Sequence, residues 1–194
     1  MKNEPIPKTK LTPEEYLKFE RKSEERHEYF NGEIFAMSGA KRNHNKITTN
    51  LNGLVWQHLK GKNCENYSSD MRVFVPETGL YTYSDLVVVC GEPEFKDNVF
   101  DTLLNPILLI EVLSDSTEGY DRGKKFQHYR SVESLQEYVL VAQDEARIEK
   151  YVKRGDRFGL LSEAVGLDAE IEFASIECRI ALREVYEKIE FSDE

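Results

Sequence analysis

Two carboxylates and a lysine stand where their chemistry is most conspicuous. Glu111 lies near the end of the apolar run Ile107-Leu108-Leu109-Ile110-Glu111-Val112-Leu113, and Asp85 opens another, Asp85-Leu86-Val87-Val88-Val89. A charge on a buried strand is costly unless something pairs with it. The runs predict strands over 84–90 and 107–113, and consecutive strands are usually neighbours. Paired antiparallel, the start of one lies beside the end of the other. Parity agrees, since Asp85, Val87 and Val89 share one face, as do Ile107, Leu109 and Glu111. Opposed Cβ atoms would then be ~5 Å apart. Two such carboxylates repel, so one holds a proton or a cation joins them, and oxygen ligands suit Mg²⁺ or Mn²⁺. A short basic helix predicted over 121–131 adds Lys125, with Tyr129 one turn later. A lysine beside an activated water helps deprotonate it or stabilises developing negative charge. Two acids, a divalent ion, a water and a lysine fit phosphodiester hydrolysis. The plainer alternative is a pair of strand-end charges reaching solvent or an arginine, with Lys125 a solvated helix residue.

The chain that must position these groups has 194 residues, which suits one domain with one core. Hydrophobic residues make up 40% and charged residues 32%, as in an ordinary soluble protein. No run approaches the ~20 apolar residues of a membrane span, and the first ten residues lack a signal-peptide core, so a cytoplasmic location with no membrane partner is expected. Residues 1–10 are expected to form a flexible tail, and 11–191 one domain. Cys64, Cys90 and Cys178 are widely spaced and odd in number, and are read as buried thiols. The net charge of −10 argues against a general nucleic-acid binder while leaving room for a local basic groove.

Element by element, Thr12-Pro13-Glu14-Glu15 is a capping box opening a helix that fades near Ser23, with Leu11 and Tyr16 as a hydrophobic staple. Residues 27–37 form a hairpin around Asn31-Gly32. The helix 43–60 buries Ile47, Leu51, Leu54, Val55, His58 and Leu59, with Asn43 or Asn45 as its cap. A strand over 66–75 joins the strand 84–90 through a turn at Glu77-Thr78-Gly79. Residues 91–105 form a charged connection. Beyond the basic helix come a buried strand at 137–141, a hairpin around Arg154-Gly155-Asp156, one or two edge strands in 171–180, and a helix over 182–189. The order predicts an α/β (α+β) fold in which helices flank a mixed β-sheet.

Several stretches together resemble the PD-(D/E)XK nuclease superfamily and, more narrowly, the Uma-type family of putative restriction endonucleases. They are Ser84-Asp85-Leu86-Val87-Val88-Val89, Ile110-Glu111-Val112-Leu113-Ser114-Asp115-Ser116-Thr117 and Lys125-Phe126-Gln127-His128-Tyr129. Thr12-Pro13-Glu14-Glu15-Tyr16, Glu28-Tyr29-Phe30-Asn31-Gly32-Glu33-Ile34, His44 and Glu137-Tyr138-Val139-Leu140-Val141 extend the likeness over roughly residues 11 to 191. The resemblance implies a restriction-endonuclease-like core and an endonuclease acting on DNA. Asp85 and Glu111 would be Mg²⁺ ligands, Lys125 the catalytic base and Glu28 a further acid near the metal. Two positions depart from the superfamily's pattern. Ser84 replaces a proline, and Leu113 occupies the place of the usual lysine, two residues after the second acid. A lysine from the following helix restores the charge: Lys125 first, Lys124 second.

Among the other candidates, Glu28 can equally pair with Arg26 or Lys46. His44 can contact a phosphate at its helix start or serve as a cap. Asp70 and Arg72 read as a structural ion pair. Arg122, Lys124, Lys125, His128 and Arg130 form the best local nucleic-acid patch, with Lys124 and Tyr129 as substrate contacts. The rival to an enzyme is a non-catalytic nucleic-acid-binding module on the same fold; a two-carboxylate glycosidase leaves Lys125 without a role. A homodimer suits an enzyme that cuts both strands.

Overall fold

The computed structural model describes residues 10–37, 39–155 and 157–191. Its framework is a six-stranded sheet built from β3 (Cys64–Ser68), β6 (Leu86–Cys90), β8 (Leu108–Val112), β9 (Glu137–Val141), β10 (Arg147–Arg154) and β11 (Arg157–Val165), in the order β11-β10-β9-β8-β6-β3. Only β8 and β9 pair parallel, which makes the sheet mixed. A second sheet runs β2-β1-β5-β4-β7, from β1 (His27–Phe30), β2 (Glu33–Ala36), β4 (Arg72–Val75), β5 (Leu80–Tyr83) and β7 (Thr102–Leu103). β12 (Glu170–Phe173) and β13 (Cys178–Ala181) form a hairpin of their own.

The continuous apolar runs of the central strands cover both faces of the large sheet, as strands buried on two sides require. Leu86, Val88, Leu108, Ile110 and Val112 face α2 (Arg42–Leu59), whose stripe of Ile47, Leu51, Val55 and Leu59 fills one core with the β12–β13 hairpin and α5 (Leu182–Val185). Val87, Val89, Leu109 and Leu113 face the other way. They meet Val73, Val75 and Leu80 of the second sheet and Tyr129 of α4 (Phe126–Tyr129). α1 (Pro13–Glu20) closes the far side with Tyr16 and Leu17 against Tyr29 and Tyr81. The layers are thus helix, sheet, sheet, helix.

Local chemistry explains the points that matched expectation. The Thr12 hydroxyl accepts from the Glu15 amide at 3.2 Å, and the Glu15 carboxylate accepts from the Thr12 amide at 2.8 Å. Asn31 and Gly32 both take positive φ, at 50° and 89°, and so match a turn to the twist of β1 and β2.

Elsewhere the structure departs from the sequence reading. The strand expected over 66–75 is two strands in different sheets, broken at Ser69-Asp70. The turn at Glu77-Thr78-Gly79 joins β4 to β5 instead of leading to β6. β5, for which no strand was expected, is buried along its length. β7 lies within the expected connection. Lys41 starts α2 without a side-chain cap, and Asn43 and Asn45 sit in its first turn, donating to carbonyls. The expected tail falls largely on residues 1–9, and the Asp156 turn position likewise lies outside the described residues. Arg72 is buried on Tyr83, Thr102 and Asp101, while Asp70 pairs with Arg26. Cys64 and Cys90 are directly opposed in the β3–β6 register and form a disulfide; of the expected thiols only Cys178 is free. The sequence could not reveal that register. Among the described residues no helix is long and apolar enough to cross a membrane.

Two outcomes follow from this packing. Thiol titration of the unreduced, denatured protein should find one reactive group per chain, where three would contradict the bond. Reduction should cost about 3 kcal/mol of stability, given the 26-residue separation of the pair. Second, Arg21 holds Asp97 and Asp101 at 2.8 and 2.7 Å and depresses both carboxyls below their usual value. Lowered folded-state values add stability above the unfolded value, and that stability is lost as pH falls through the folded ones. Arg21→Ala should therefore flatten the decline of the melting temperature between about pH 5 and 3. An unchanged acid limb would contradict the assignment.

Candidate active site

Between the two sheets, at one end of β8, the apolar contacts give way to charge. β6 and β8 pair Leu86 with Ile110, so one step further Asp85 stands opposite Glu111. The Asp85 Oδ2 accepts from the Val112 amide at 2.8 Å, which fixes the carboxylate against β8. β8's alternation sends Glu111 to the same side as Leu109 and Leu113, into the gap between the sheets. From the second sheet, the Tyr29–Tyr81 register places Glu28 beside Thr82, whose hydroxyl donates to its Oε1.

The remaining member comes from the helical segment after β8. It consists of a turn of α3 (Glu118–Tyr120), a π turn (Asp121–Lys125) and α4. The segment begins three residues before the expected 121. Asp121, Lys125 and Tyr129 recur every four residues, and all three are buried. The Lys125 Nζ donates to the Tyr83 carbonyl at 2.8 Å and lies 3.0 Å from Glu111 Oε1. Glu28 Oε1 and Asp121 Oδ1 are each 3.5 Å away. The Tyr129 hydroxyl donates to Glu111 Oε1 at 3.2 Å.

One ammonium therefore faces three carboxylates. Burial drives the Glu111 carboxyl well above its usual range; Lys125 opposes the shift, and Asp121 and Asp85 add to it. Burial raises Asp121 as well. For Lys125, burial alone favours the neutral amine, but Glu111, Tyr129, Glu28 and Asp121 outweigh it and hold the proton far more firmly than usual. This shift favours the charged ammonium, the form that stabilises developing negative charge.

His44, in the first turn of α2, brings Nε2 to 3.3 Å from Asp85 Oδ2; its buried Nδ1 has no hydrogen-bond partner among the described residues. Burial disfavours its charged form, but Asp85, the Val112 backbone and Asp121 together outweigh this and raise the imidazole's pKa. Next to it a cleft of about 670 Å³ is lined by Lys41, Arg42, Asn43 and Asp115. A second cleft, of about 510 Å³, lies at Glu137 and Lys153. Neither is lined by Glu111 or Lys125. The buried cluster is shut off from both clefts, and Asp85 and His44, with side chains 17% and 13% exposed, form its more open edge.

The expected substrate groups divide. Lys124 is exposed where Lys125 is buried, whereas Tyr129 is fully buried with its hydroxyl on Glu111 and so supports the site from below. The expected basic patch does not form. Arg122 is held by Glu118 and Glu149, Lys125 is buried, and the His128 ring packs on Phe30, leaving Lys124 and Arg130 exposed. Asp121 is the residue that sequence reasoning missed, although its position one turn before Lys125 was a usable signal.

Among the described residues, no three His, Cys, Asp or Glu side chains are arranged as ligands of one ion. The donor chemistry of Asp85 and Glu111 nevertheless fits Mg²⁺, which commonly takes one or two carboxylates and keeps waters or substrate oxygens for its other positions. The contacts above use Oδ2 of Asp85 and Oε1 of Glu111, so each retains a second oxygen for a cation.

The asymmetry of three acids around one cation can be tested by stability. Lys125→Met should cost about 3–5 kcal/mol, because it leaves buried carboxylates without their counter-charge. Glu111→Gln, which relieves the surplus, should change stability by no more than about 1 kcal/mol. Equal losses in chemical denaturation would contradict this charge balance.

A family model described as Uma2, putative restriction endonuclease, matches residues 13–177. The Synechocystis sp. protein sll1609 is 43% identical over 164 residues, covering 84% of this chain and 93% of its own length. A second Synechocystis protein, slr1290, is 40% identical over 185 residues, covering 95% of this chain and 96% of its own. Among solved structures, a putative nuclease belonging to DUF820 from Anabaena variabilis superposes with a TM-score of 0.75 at 17% identity, covering 91% of this chain and 97% of its own. That likeness identifies a shared fold.

Proposed function

The chain belongs to the putative restriction endonuclease family, and from that premise we propose that it is a Mg²⁺-dependent endonuclease that hydrolyses DNA phosphodiester bonds, with Mn²⁺ able to substitute. The observation that carries the proposal is the opposition of Asp85 and Glu111 across β6 and β8, with the buried Lys125 ammonium 3.0 Å from Glu111. On this view the chain is of PD-(D/E)XK type, with its lysine moved from the strand, where Leu113 stands, to the helix that follows.

Asp85 and Glu111 hold the ion. When bound, it supplies Lewis-acid charge to a phosphoryl oxygen and makes a water more acidic. Lys125, held protonated, aims its charge at the attacking oxygen and stabilises it as negative charge develops, acting electrostatically rather than as the proton acceptor. Glu28, oriented by the Thr82 hydroxyl and 3.5 Å from Lys125 Nζ, is the further acid that supports the ion or receives the water's proton. Tyr129 fixes Glu111. His44, at the open edge, neutralises a substrate phosphate, and exposed Lys124 steers the backbone from outside. A homodimer would present two such sites to a duplex.

One observation favours the rival, a non-catalytic nucleic-acid-binding module: the side chains of Lys125 and Glu111 are each only 5% exposed. A cleavage assay separates the two. Purified wild type should nick plasmid DNA with Mg²⁺ or Mn²⁺ and lose this activity in EDTA. Asp85→Ala and Lys125→Ala should each lower the rate by at least about 100-fold. Equal rates in all three proteins would overturn the site, and DNA binding without cleavage would establish the rival.

A further inference from the structure

Asp121 is the carboxylate around Lys125 that has no task in the chemistry above. Its side chain is 5% exposed, with Oδ1 3.5 Å from Lys125 Nζ. It opens the π turn between α3 and α4, and π turns inserted in helices recur at functional sites. The buried Tyr138 hydroxyl donates to the Asp121 carbonyl at 3.0 Å and anchors that turn to β9.

Glu111 has two claims on it. Its Oε1 touches Lys125, and in the proposed reaction the same side chain serves a divalent ion. A carboxylate drawn to a doubly charged ion loosens its hold on an ammonium. What remains is the neutral Tyr83 carbonyl, Glu28 on a strand of the other sheet, and Asp121. Only Asp121 shares a helical segment with Lys125, one turn away, so its distance to Nζ is insensitive to shifts between the sheets. An acid serving merely to solvate a buried lysine would not be needed in addition to Glu111 and Glu28.

We infer that Asp121 is a positioning residue that keeps the Lys125 ammonium at the reaction centre when Glu111 turns to the divalent ion. This rests on the nuclease activity proposed above. The test uses the full chain and two readouts. The first is the ¹H–¹⁵N correlation of the Lys125 ammonium, visible when its hydrogens are held in hydrogen bonds and assigned by its loss in Lys125→Met. The wild type should keep this correlation with and without Mg²⁺, Asp121→Asn should lose it on adding Mg²⁺, and Asp121→Glu should restore it. The second is cleavage: Asp121→Asn should lower kcat about tenfold with KM within about twofold. Tyr138→Phe, which removes only the anchoring hydroxyl, should give the same changes to a smaller degree and covers the case in which Asp121→Asn does not fold. Retention of the ammonium signal in Asp121→Asn with Mg²⁺, its absence from the wild type, or a wild-type kcat in the variant would overturn the inference. If the wild type cleaves nothing, the nuclease proposal fails, while the ammonium signal still decides the role of Asp121.

Discussion

A lysine enclosed by three carboxylates sets the terms for the rest of this molecule. Taking these charges out of water is expensive, and their attraction repays the cost only where geometry is close and further hydrogen bonds complete it. Tyr83, Tyr129 and Thr82 supply those bonds to Lys125, Glu111 and Glu28. Each comes from an element whose other side chains build a core: β5, α4, and β5 again. The two sheets and the helical segment after β8 must therefore dock in one register for the cluster to exist. The surplus of negative charge is what a closed structural ion pair would avoid and what a cation site requires.

The central strands and their pairing were legible because each is a short, continuous apolar run, and because parity relates two acids on neighbouring strands. Asp85 and Glu111 follow from these facts alone. The four-residue spacing of Lys125 to Tyr129 placed both on one face, and burial separates Lys125 from Lys124: one lies inside the cluster, the other in solvent. Glu28 could not be derived this way. Its place depends on β1 pairing with β5, two strands separated in sequence by β2, α2, β3 and β4.

The failures have physical causes. β5 was hidden because Leu80-Tyr81-Thr82-Tyr83 does not alternate polar and apolar residues; a strand buried on both sides has no reason to. The Cys64–Cys90 bond depends on a cross-strand register that spacing does not encode. Residue type left Lys125 either to deprotonate a water or to stabilise negative charge, and only the acids gathered around it, which favour its charged form, bear on that choice. The basic helix looked like a nucleic-acid patch until tertiary structure supplied Glu149 for Arg122 and Phe30 for His128. For the disulfide and for Arg122, the partner came from far along the chain.

The central claim is that the carboxylates opposed across β6 and β8 hold a divalent ion beside the lysine. A crystal of the protein grown with Mn²⁺ and measured at the manganese absorption edge tests this most directly. An anomalous peak is expected within coordination distance of both Asp85 and Glu111, with the Lys125 ammonium beside it. A well-ordered site without such a peak, or manganese bound elsewhere while Glu111 remains locked on Lys125, would contradict it.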